Sequence, residues 1–593
     1  VRSHTPTTAV RRLVAAVAIA GLALLGVVAL PSAAFAASFS VTSTADAGSG
    51  SLRDAIALAE ANAGPDTITF ALPAGSVIQL LSLVTVTEAL TLDGSGTPGL
   101  VITGQGGVGT FPLLILSPAA VNQDFSFNDL IFDGTAASTP GWLGEAIHAT
   151  YGVTNHLARS LALTRITGRN ITGPFEGAVL QAFAMQPGGP ITITDSTFTN
   201  NVSTTSTLNG GGAVYVRGTT GLVTVTGSTF TGNTARTGGA IYLEGFGGGV
   251  ASLSVDSSTF TGNVANGAAT VPAADGEGGA IAANTVGDLT ISGSTFSGNT
   301  ASVNGGALSI GQLNLATSAV SVTTSSFLGN HAISGGGAFW SATTQGDISV
   351  ASSTFAGNTL SSDPADSPLG NSIRLSGTGD HALSVLSSTF DEAAAAFSTW
   401  AIAVETTGAS PLAIAHSTIV GPGAVSIRTL SSSSSSVDHS ILWSLGTADD
   451  ALVALVFGLP GSNTIATSWS LSSGTAQPYL AVGSGNQFSV SSFGLGALAN
   501  NGGPTQTRLP AVGSPAHNGG DPAVVGAPAT DQRGLTRVVQ TIDIGSVEIQ
   551  SATLAATGTP VALRVPLTGA LLILLGLLSV ALARRRFRAG DRD

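Results

Sequence analysis

The triplet Ser-Thr-Phe (Ser-Ser-Phe at Phe327), followed in all copies but the last by an asparagine three residues after its phenylalanine, returns along the middle of the chain every 28 to 36 residues. The phenylalanines are Phe198, Phe230, Phe260, Phe296, Phe327, Phe355 and Phe390, and the asparagines Asn201, Asn233, Asn263, Asn299, Asn330 and Asn358. A Gly-Gly-Ala element recurs with them, at Gly211-Gly212-Ala213, Gly238-Gly239-Ala240, Gly278-Gly279-Ala280, Gly305-Gly306-Ala307 and Gly336-Gly337-Ala338. Segments such as Ile191-Thr192-Ile193-Thr194 alternate with period two, the mark of a strand with one buried face. Threonine and valine are β-branched and suit strands, and no long stretch shows a 3.6-residue period. A unit of about 30 residues with short strands and no helix is the size of one coil of a parallel β-helix. Propeller blades are longer and need four strands each, so they rank second. Phenylalanine is expected to stack on phenylalanine inside the cylinder. Asparagine is expected at a corner, in a left-handed backbone and bonded to the coils above and below. Gly-Gly then makes another tight corner. Beyond Phe390 the unit decays into Ser417-Thr418-Ile419 and Ser440-Ile441-Leu442, and residues 66–495 form on the order of 14 coils.

Over about residues 190–360 these units resemble the Phe-x-x-Asn and Gly-Gly-Ala-Ile repeats of polymorphic outer-membrane proteins. The resemblance implies an all-β, right-handed parallel β-helix and surface display. It implies no reaction.

A solenoid must close its ends or leave apolar surface and strand edges bare. Ser51-Leu52-Arg53-Asp54 reads as a capping box with Leu52, Ile56 and Ala59 on one helix face, and Asn62-Ala63-Gly64-Pro65 ends that helix. The stretch from Gly50 to Ile56 resembles the N-terminal domain named for Cys-Ser-Leu-Arg-Glu-Ala, with Gly50 for the Cys and Asp54 for the Glu. Residues 37–65 are therefore expected as an N-terminal cap. At the other end, residues 496–550 carry Asn500-Asn501-Gly502-Gly503-Pro504, Asp531-Gln532-Arg533-Gly534 and Asp543-Ile544-Gly545-Ser546-Val547-Glu548. These motifs resemble the choice-of-anchor Q domain, which lies just upstream of surface-anchoring signals. The Ser431–Ser436 run before it reads as a solvated loop.

The extremities read as addresses. Arg11 and Arg12, an apolar run and Ala34-Phe35-Ala36 form a secretory signal over residues 1–36, cleaved between Ala36 and Ala37. An uncleaved anchor helix is the alternative. Residues 554–593 hold Leu554, Ala555, Ala556, Thr557 and Gly558, then the uncharged run 565–583, then Arg584, Arg585, Arg586 and Arg588. The apolar run spans roughly 28 Å as a helix, enough for a transmembrane segment with its arginines in the cytoplasm. The order resembles a sortase substrate of the Leu-Ala-x-Thr-Gly type. That resemblance implies a sortase as processing partner and attachment to peptidoglycan through Thr557. A permanent single-pass anchor is the alternative.

The chain holds 20 basic against 33 acidic residues, and every basic residue is arginine. With no lysine there is no amine nucleophile and no Schiff base; with no cysteine there is no disulfide, thiolate metal site or cysteine nucleophile. A net charge of −13 argues against nucleic acid as partner. Parallel β-helices also house polysaccharide lyases and hydrolases, whose chemistry needs carboxylates gathered in one place. The position three residues before each Phe (Asp195, Gly227, Ser257, Gly293, Thr324, Ser352, Ser387) is acidic only once. Asp275/Glu277, Asp363/Asp366 and Asp391/Glu392 read as loop pairs, and His148, His156, His331, His381, His416 and His439 as lone surface or corner residues without metal-ligand spacing. Arg533 with Asp531, Asp543 and Glu548 reads as a structural network. No catalytic, cofactor or metal residue is therefore singled out. The five tryptophans, Trp142, Trp340, Trp400, Trp443 and Trp469, are the first candidates for stacking on a sugar, with core packing the commoner use. The expected protein is a secreted, wall-anchored surface adhesin or envelope component without catalysis. A carbohydrate-active β-helix enzyme is the alternative.

Overall fold

The computed structural model describes residues 35–550, apart from short stretches at 106–110, 121, 136–143, 150–157, 184, 186–187, 206–209, 219–220, 246–250, 268–275, 314–316, 344, 362–369, 379–380, 394–398, 409, 430–433, 447–450, 457–463 and 478–479. Most of the secretory signal, the pentapeptide Leu554–Gly558, the apolar run 565–583 and the terminal arginines lie outside the described residues. Among those described, no helix is long and apolar enough to cross a membrane.

Strands follow one another in short pieces, and each pairs with the strand one coil earlier and one coil later. The result is four parallel sheets of 16, 14, 13 and 7 strands among the described residues. The first sheet runs from Ser38–Val41 to Leu480–Val482, the second from Val77–Leu80 to Leu471–Ser472, and the third from Val84–Val86 to Leu452–Val456. The fourth is a ladder of two-residue strands from Thr172–Gly173 to Thr359–Leu360. This is the parallel-strand solenoid that the repeat predicts, nearly all β, with one α-helix, of nine residues, among the described residues. Register keeps like on like: Ile191 pairs with Val223, Val223 with Leu253, and Leu253 with Leu289. Phe198 begins a run in which each phenylalanine pairs with the next as far as Phe390, which pairs with Ile419, itself paired with Leu442. The eroded copies are thus full coils in which a smaller side chain takes the aromatic place.

All seven phenylalanines are buried. From Phe230 to Phe390 successive rings stack with centroids 4.6 to 4.8 Å apart and planes within 3°. Ordinary sheets rotate by roughly 20–25° per strand, whereas these rings keep one orientation from coil to coil.

The asparagines form the ladder expected of them, but without the expected backbone. Asn263 Oδ1 accepts from both the backbone N–H (3.0 Å) and Nδ2 (2.9 Å) of Asn233, while Asn263 Nδ2 donates to Phe230 O and Asn299 Oδ1. Every polar site of the buried amide is filled, as a core position requires. The left-handed residue is the one before it: Asn200 (φ 53°), Gly232 (63°), Gly262 (60°) and their successors. A second left-handed corner falls three residues before each phenylalanine, from Asp195 (50°) and Gly227 (59°) through Ser387 (45°) to His416 (49°), His439 (44°) and Trp469 (45°). That position is set by conformation, which accounts for its Gly, Asp and Ser.

The serine of each triplet is a second ladder that sequence reading missed. Ser228 donates its hydroxyl to Thr226 O at 2.9 Å and its backbone N–H to Ser258 Oγ at 3.1 Å, and the pattern continues to Ser470. Contrary to expectation, part of the polyserine run is strand: Ser434–Asp438 joins the first sheet, and buried Ser435 Oγ accepts from Leu412 N.

The N-terminal end is closed by helix α1, Leu52–Glu60, whose buried face holds Leu52, Ala55, Ile56 and Ala59. Ser51 accepts from Asp54 N at 3.2 Å, and the Asp54 carboxylate reaches back to Gly50 N at 2.8 Å, one residue beyond the cap's own N–H.

The segment 496–550, expected as a terminal cap, folds back along the solenoid. It lies along the outside of the second sheet, back over the coils of Phe355, Phe390, Ile419 and Leu442. Gln532 Nε2 donates to Ser353 O, Thr354 Oγ1 and Thr505 Oγ1, and its Oε1 accepts from Thr389 Oγ1 at 2.6 Å. Arg508 grips Asp391 with two bonds of 2.9 and 3.0 Å, and Ser546 N donates to Thr418 Oγ1. The outward residue of the triplet records this cover. Thr197 and Thr259 are exposed, Thr354, Thr389 and Thr418 are buried, and the next two in the row are Ile441 and Leu471. Those two pack with Phe493, Ala516 and Ile544 in a small second core.

Candidate functional site

Outward rows of the first two sheets are threonine and serine for most of their length. The third sheet differs. Its outward row runs, in register, His148, Gln181, Tyr215, Tyr242, Ala282, Ser309, Trp340 and Arg374. A flanking row carries Phe183, Arg217 and Glu244. His148 and Phe183 lie 5.8 Å apart between ring centroids, Phe183 meets Tyr215 edge-on at 5.7 Å, and Tyr215 stacks on Tyr242 at 5.6 Å. Tyr215, Tyr242, Ala282 and Phe183 form a cluster of their own, separate from the core of the cylinder.

Carboxylates border these rings. Glu145 is fully buried, and its Oε2 lies 2.9 Å from His148 Nδ1. Gln181 Nε2 donates to Glu176 Oε2 at 2.6 Å, and Tyr215 Oη donates to Glu244 Oε2, which also faces Arg217 at 3.4 Å. Burial, then the charge of Glu176, push the Glu145 carboxyl well above the usual range; burial holds the His148 imidazole below its own. Burial and the nearby Glu244 raise the Tyr215 phenol. Glu145 Oε1 and Gln181 Oε1 are buried without a hydrogen-bond partner. Such an arrangement favours the neutral form of the Glu145 carboxyl, and it can present aromatic, amide and carboxylate groups in one row. Of the row, only His148 and Trp340 stood out in the sequence; the signal for the rest was the break in the Thr/Ser row.

The other charged set is the seam under the terminal segment. Arg533 pairs with Asp531, Glu548 N donates to Asp531 Oδ2 and Asp543 N to Glu548 Oε2, the network the sequence predicted. Its centre is a residue the sequence did not mark. Arg537 is fully buried and donates through Nη2 to Asp543 O, Gly545 O and, at 3.2 Å, His416 Nδ1. His416 stacks on His439 at 5.0 Å; both are buried corner residues, not surface ones. His439 Nε2 accepts from Asp521 N, which leaves the proton on Nδ1 to donate to Asp438 at 2.8 Å. His416, Asp438 and His439 thus bring ligand-type atoms within 4.8 Å of one another, a grouping their sequence positions hid. Three of the four imidazole nitrogens are hydrogen-bonded, two of them to the terminal segment, whose guanidinium lies alongside, so the trio is part of the seam. Burial, then the Arg537 charge, push His416 down to about 3. Burial lowers Arg537 to about 10 and raises Glu548 to about 7.

Of the acidic residues expected in solvated loops, the three that are described, Glu277, Asp391 and Glu392, are buried instead. Asp391 ends a strand and is paired with Arg508, Glu392 is fully buried, and Glu277 is buried and accepts from Asn304 and Ser309. Asp275, Asp363 and Asp366 lie outside the described residues, as do His156 and Trp142. His331 bonds Thr359 and Ser361, and His381 is buried. Trp443 stacks on Phe493 at 5.2 Å and Trp469 on His439 at 6.3 Å, both as packing; Trp340 and Trp400 are half-buried in the third sheet.

Fold and ladders together define a parallel-strand β-solenoid of stacked Phe/Asn coils. Three stretches, residues 195–217, 227–244 and 293–311, match the Chlamydia polymorphic membrane protein repeat. Each begins at the left-handed corner and runs through the phenylalanine and asparagine into a strand of the third sheet. The chain is similar to those proteins in this repeat, which accounts for a small part of its 593 residues. Comparison with curated proteins finds no match.

Proposed function

We propose that this chain is a surface-displayed right-handed parallel β-helix, an adhesin or envelope protein without catalytic activity, held at the cell wall through Thr557. The observation that carries the reading is the pairing of polymorphic-membrane-protein-like coils with one chemically distinct outward row, on the third sheet, where aromatic and charged side chains are concentrated. A protein that only spaces or coats has no use for such asymmetry. Phe183 and Trp340, both half-buried, are the accessible aromatic points of that row for a glycan or host-surface ligand. Binding of the processed protein to glycan and matrix-protein arrays, lost in the Phe183→Ala, Trp340→Ala double variant, tests the ligand. Finding Thr557 joined to a peptidoglycan fragment after muramidase digestion tests the sortase step. Wild-type protein that is wholly detergent-extractable and still ends at Asp593 would leave a permanent membrane anchor instead.

A second reading, a carbohydrate-active enzyme, is favoured by Glu145, Glu176 and Glu244 bordering the same rows with Arg217. Carboxyls gathered in different surroundings are what general acid and base chemistry needs. Incubation with polyuronides and other acidic polysaccharides, with detection of unsaturated or shortened products, decides between the two.

A further inference from the structure

The first strand begins at Ser38, and the residue before it is tied to the body of the protein by an aspartate. Ala37 N donates to Asp66 Oδ1 at 2.8 Å, and Asn62 Nδ2 donates to the same oxygen at 2.8 Å. Asp66 is 2% exposed, and its other oxygen, Oδ2, is buried with no hydrogen-bond partner. Among the described residues no arginine or histidine forms an ion pair with it. A buried carboxylate with neutral donors on one oxygen and none on the other is a costly arrangement, because the charge has been taken out of water without a counter-charge. The side chains that could cure it are missing: the chain has no lysine, and the nearest partners are an amide and a backbone N–H.

Ala37 is the residue that the Ala-x-Ala signal leaves as a new N-terminus. Hydrolysis of the Ala36–Ala37 bond adds one water across the peptide, leaving a carboxylate on Ala36 and an ammonium on Ala37. The single N–H now facing Asp66 becomes a cation with three donors, at an atom already 2.8 Å from the carboxylate. We propose that Asp66 is a receptor for the processed N-terminus: signal removal creates an ion pair between a half-buried Ala37 ammonium and buried Asp66 that locks the first strand and the helix α1 cap onto the solenoid. The precursor has only the neutral N–H bond at this place, so full closure of the N-terminal end follows export. The proposal rests on secretion of the chain and is independent of any ligand or of wall attachment.

The absence of lysine makes a clean test, because the N-terminal amine is the protein's own sole primary amine. The full chain, exported by its native host and purified folded, is first sequenced from its N-terminus. It is then treated with an amine-reactive acetylating ester, and labelling is located on the N-terminal peptide by mass spectrometry. Ala37 is expected as the terminus, labelled roughly tenfold more slowly in the folded than in the unfolded protein, the factor that ~1.4 kcal/mol of ion pairing gives. Asp66→Asn should restore rapid labelling. A terminus other than Ala37, or equal labelling of folded and unfolded wild type, overturns the proposal. If Asp66→Asn does not accumulate, the wild-type ratio still decides. Array binding or enzymatic activity is unaffected by either outcome, so failure here and failure of the surface-ligand reading are separable.

Discussion

Asn358 Nδ2 donates to Glu392 Oε1 at 3.0 Å, so a ladder of six asparagines ends on a carboxyl group. Ser372 Oγ donates to the same oxygen, and Glu392 Oε2 is buried without a partner. Burial dominates and pushes Glu392 up to about 8 from its usual 4.5, against the opposing bonds from Ser372 and Asn358. A raised folded value means that the folded state holds its proton longer than the unfolded one. The stabilising contribution is complete below about 4.5 and is lost as the pH rises through about 8. Glu392→Gln, which keeps an acceptor and carries no charge, should gain stability over wild type above pH 8 and converge with it near pH 4.5. Denaturant midpoints across that range check this.

The aromatic stack supplies a second test. Phe296 lies 4.8 Å from both Phe260 and Phe327, so truncation opens a hole with rings on two sides. Phe296→Ala should cost roughly 3–5 kcal/mol. Asn299→Ala strips the acceptor from Asn263 and the donor from Phe260 O and Asn330, and should cost about 1–3 kcal/mol. Equilibrium unfolding would rank the two.

His416 predicts the opposite pH slope at the seam. Its folded value, about 3, lies below the ordinary 6.5, so the stability it confers is present above 6.5 and lost as the pH falls through about 3. Charging it places two cations side by side with Arg537. Limited proteolysis should therefore release the segment 496–550 faster as the pH falls below 6.5, and His416→Gln should flatten that dependence.

Gln532 joins two coils and a turn through one amide. Gln532→Leu removes the acceptor from buried Thr389 Oγ1 and the donor from Ser353 O, and should cost about 1–3 kcal/mol. The loss should appear as protease sensitivity of 496–550 while hydrogen exchange in the strands before Phe327 is unchanged.

What could be read from sequence was whatever repeats. Phe230 over Phe260 and Asn233 over Asn263 are periodic, and periodicity is enough to stack them. The serine ladder repeats just as well, but serine beside Thr-Phe looks like one more strand hydroxyl, and only the coil-to-coil bond from Ser228 N to Ser258 Oγ reveals its work. Single events were hidden. Glu145 and Glu392 look like ordinary surface acids until the fold buries them. Arg537 and His416 are 121 residues apart and meet because the terminal segment turns back along the second sheet. The change of the outward residue from Thr418 to Ile441 and Leu471 was the legible trace of that return, and it reads as decay of the repeat unless a covering partner is imagined.

That return has a mechanical consequence. Chain continuing past Ile549 leaves a segment bonded in parallel to the coils of Thr354, Thr389, Thr418 and His439. Tension arriving from the C-terminus therefore loads several coils at once and in shear, instead of peeling the last strand from an open edge one hydrogen bond at a time. The terminal segment works as a splice, and the weakest strand of the solenoid never bears the load alone.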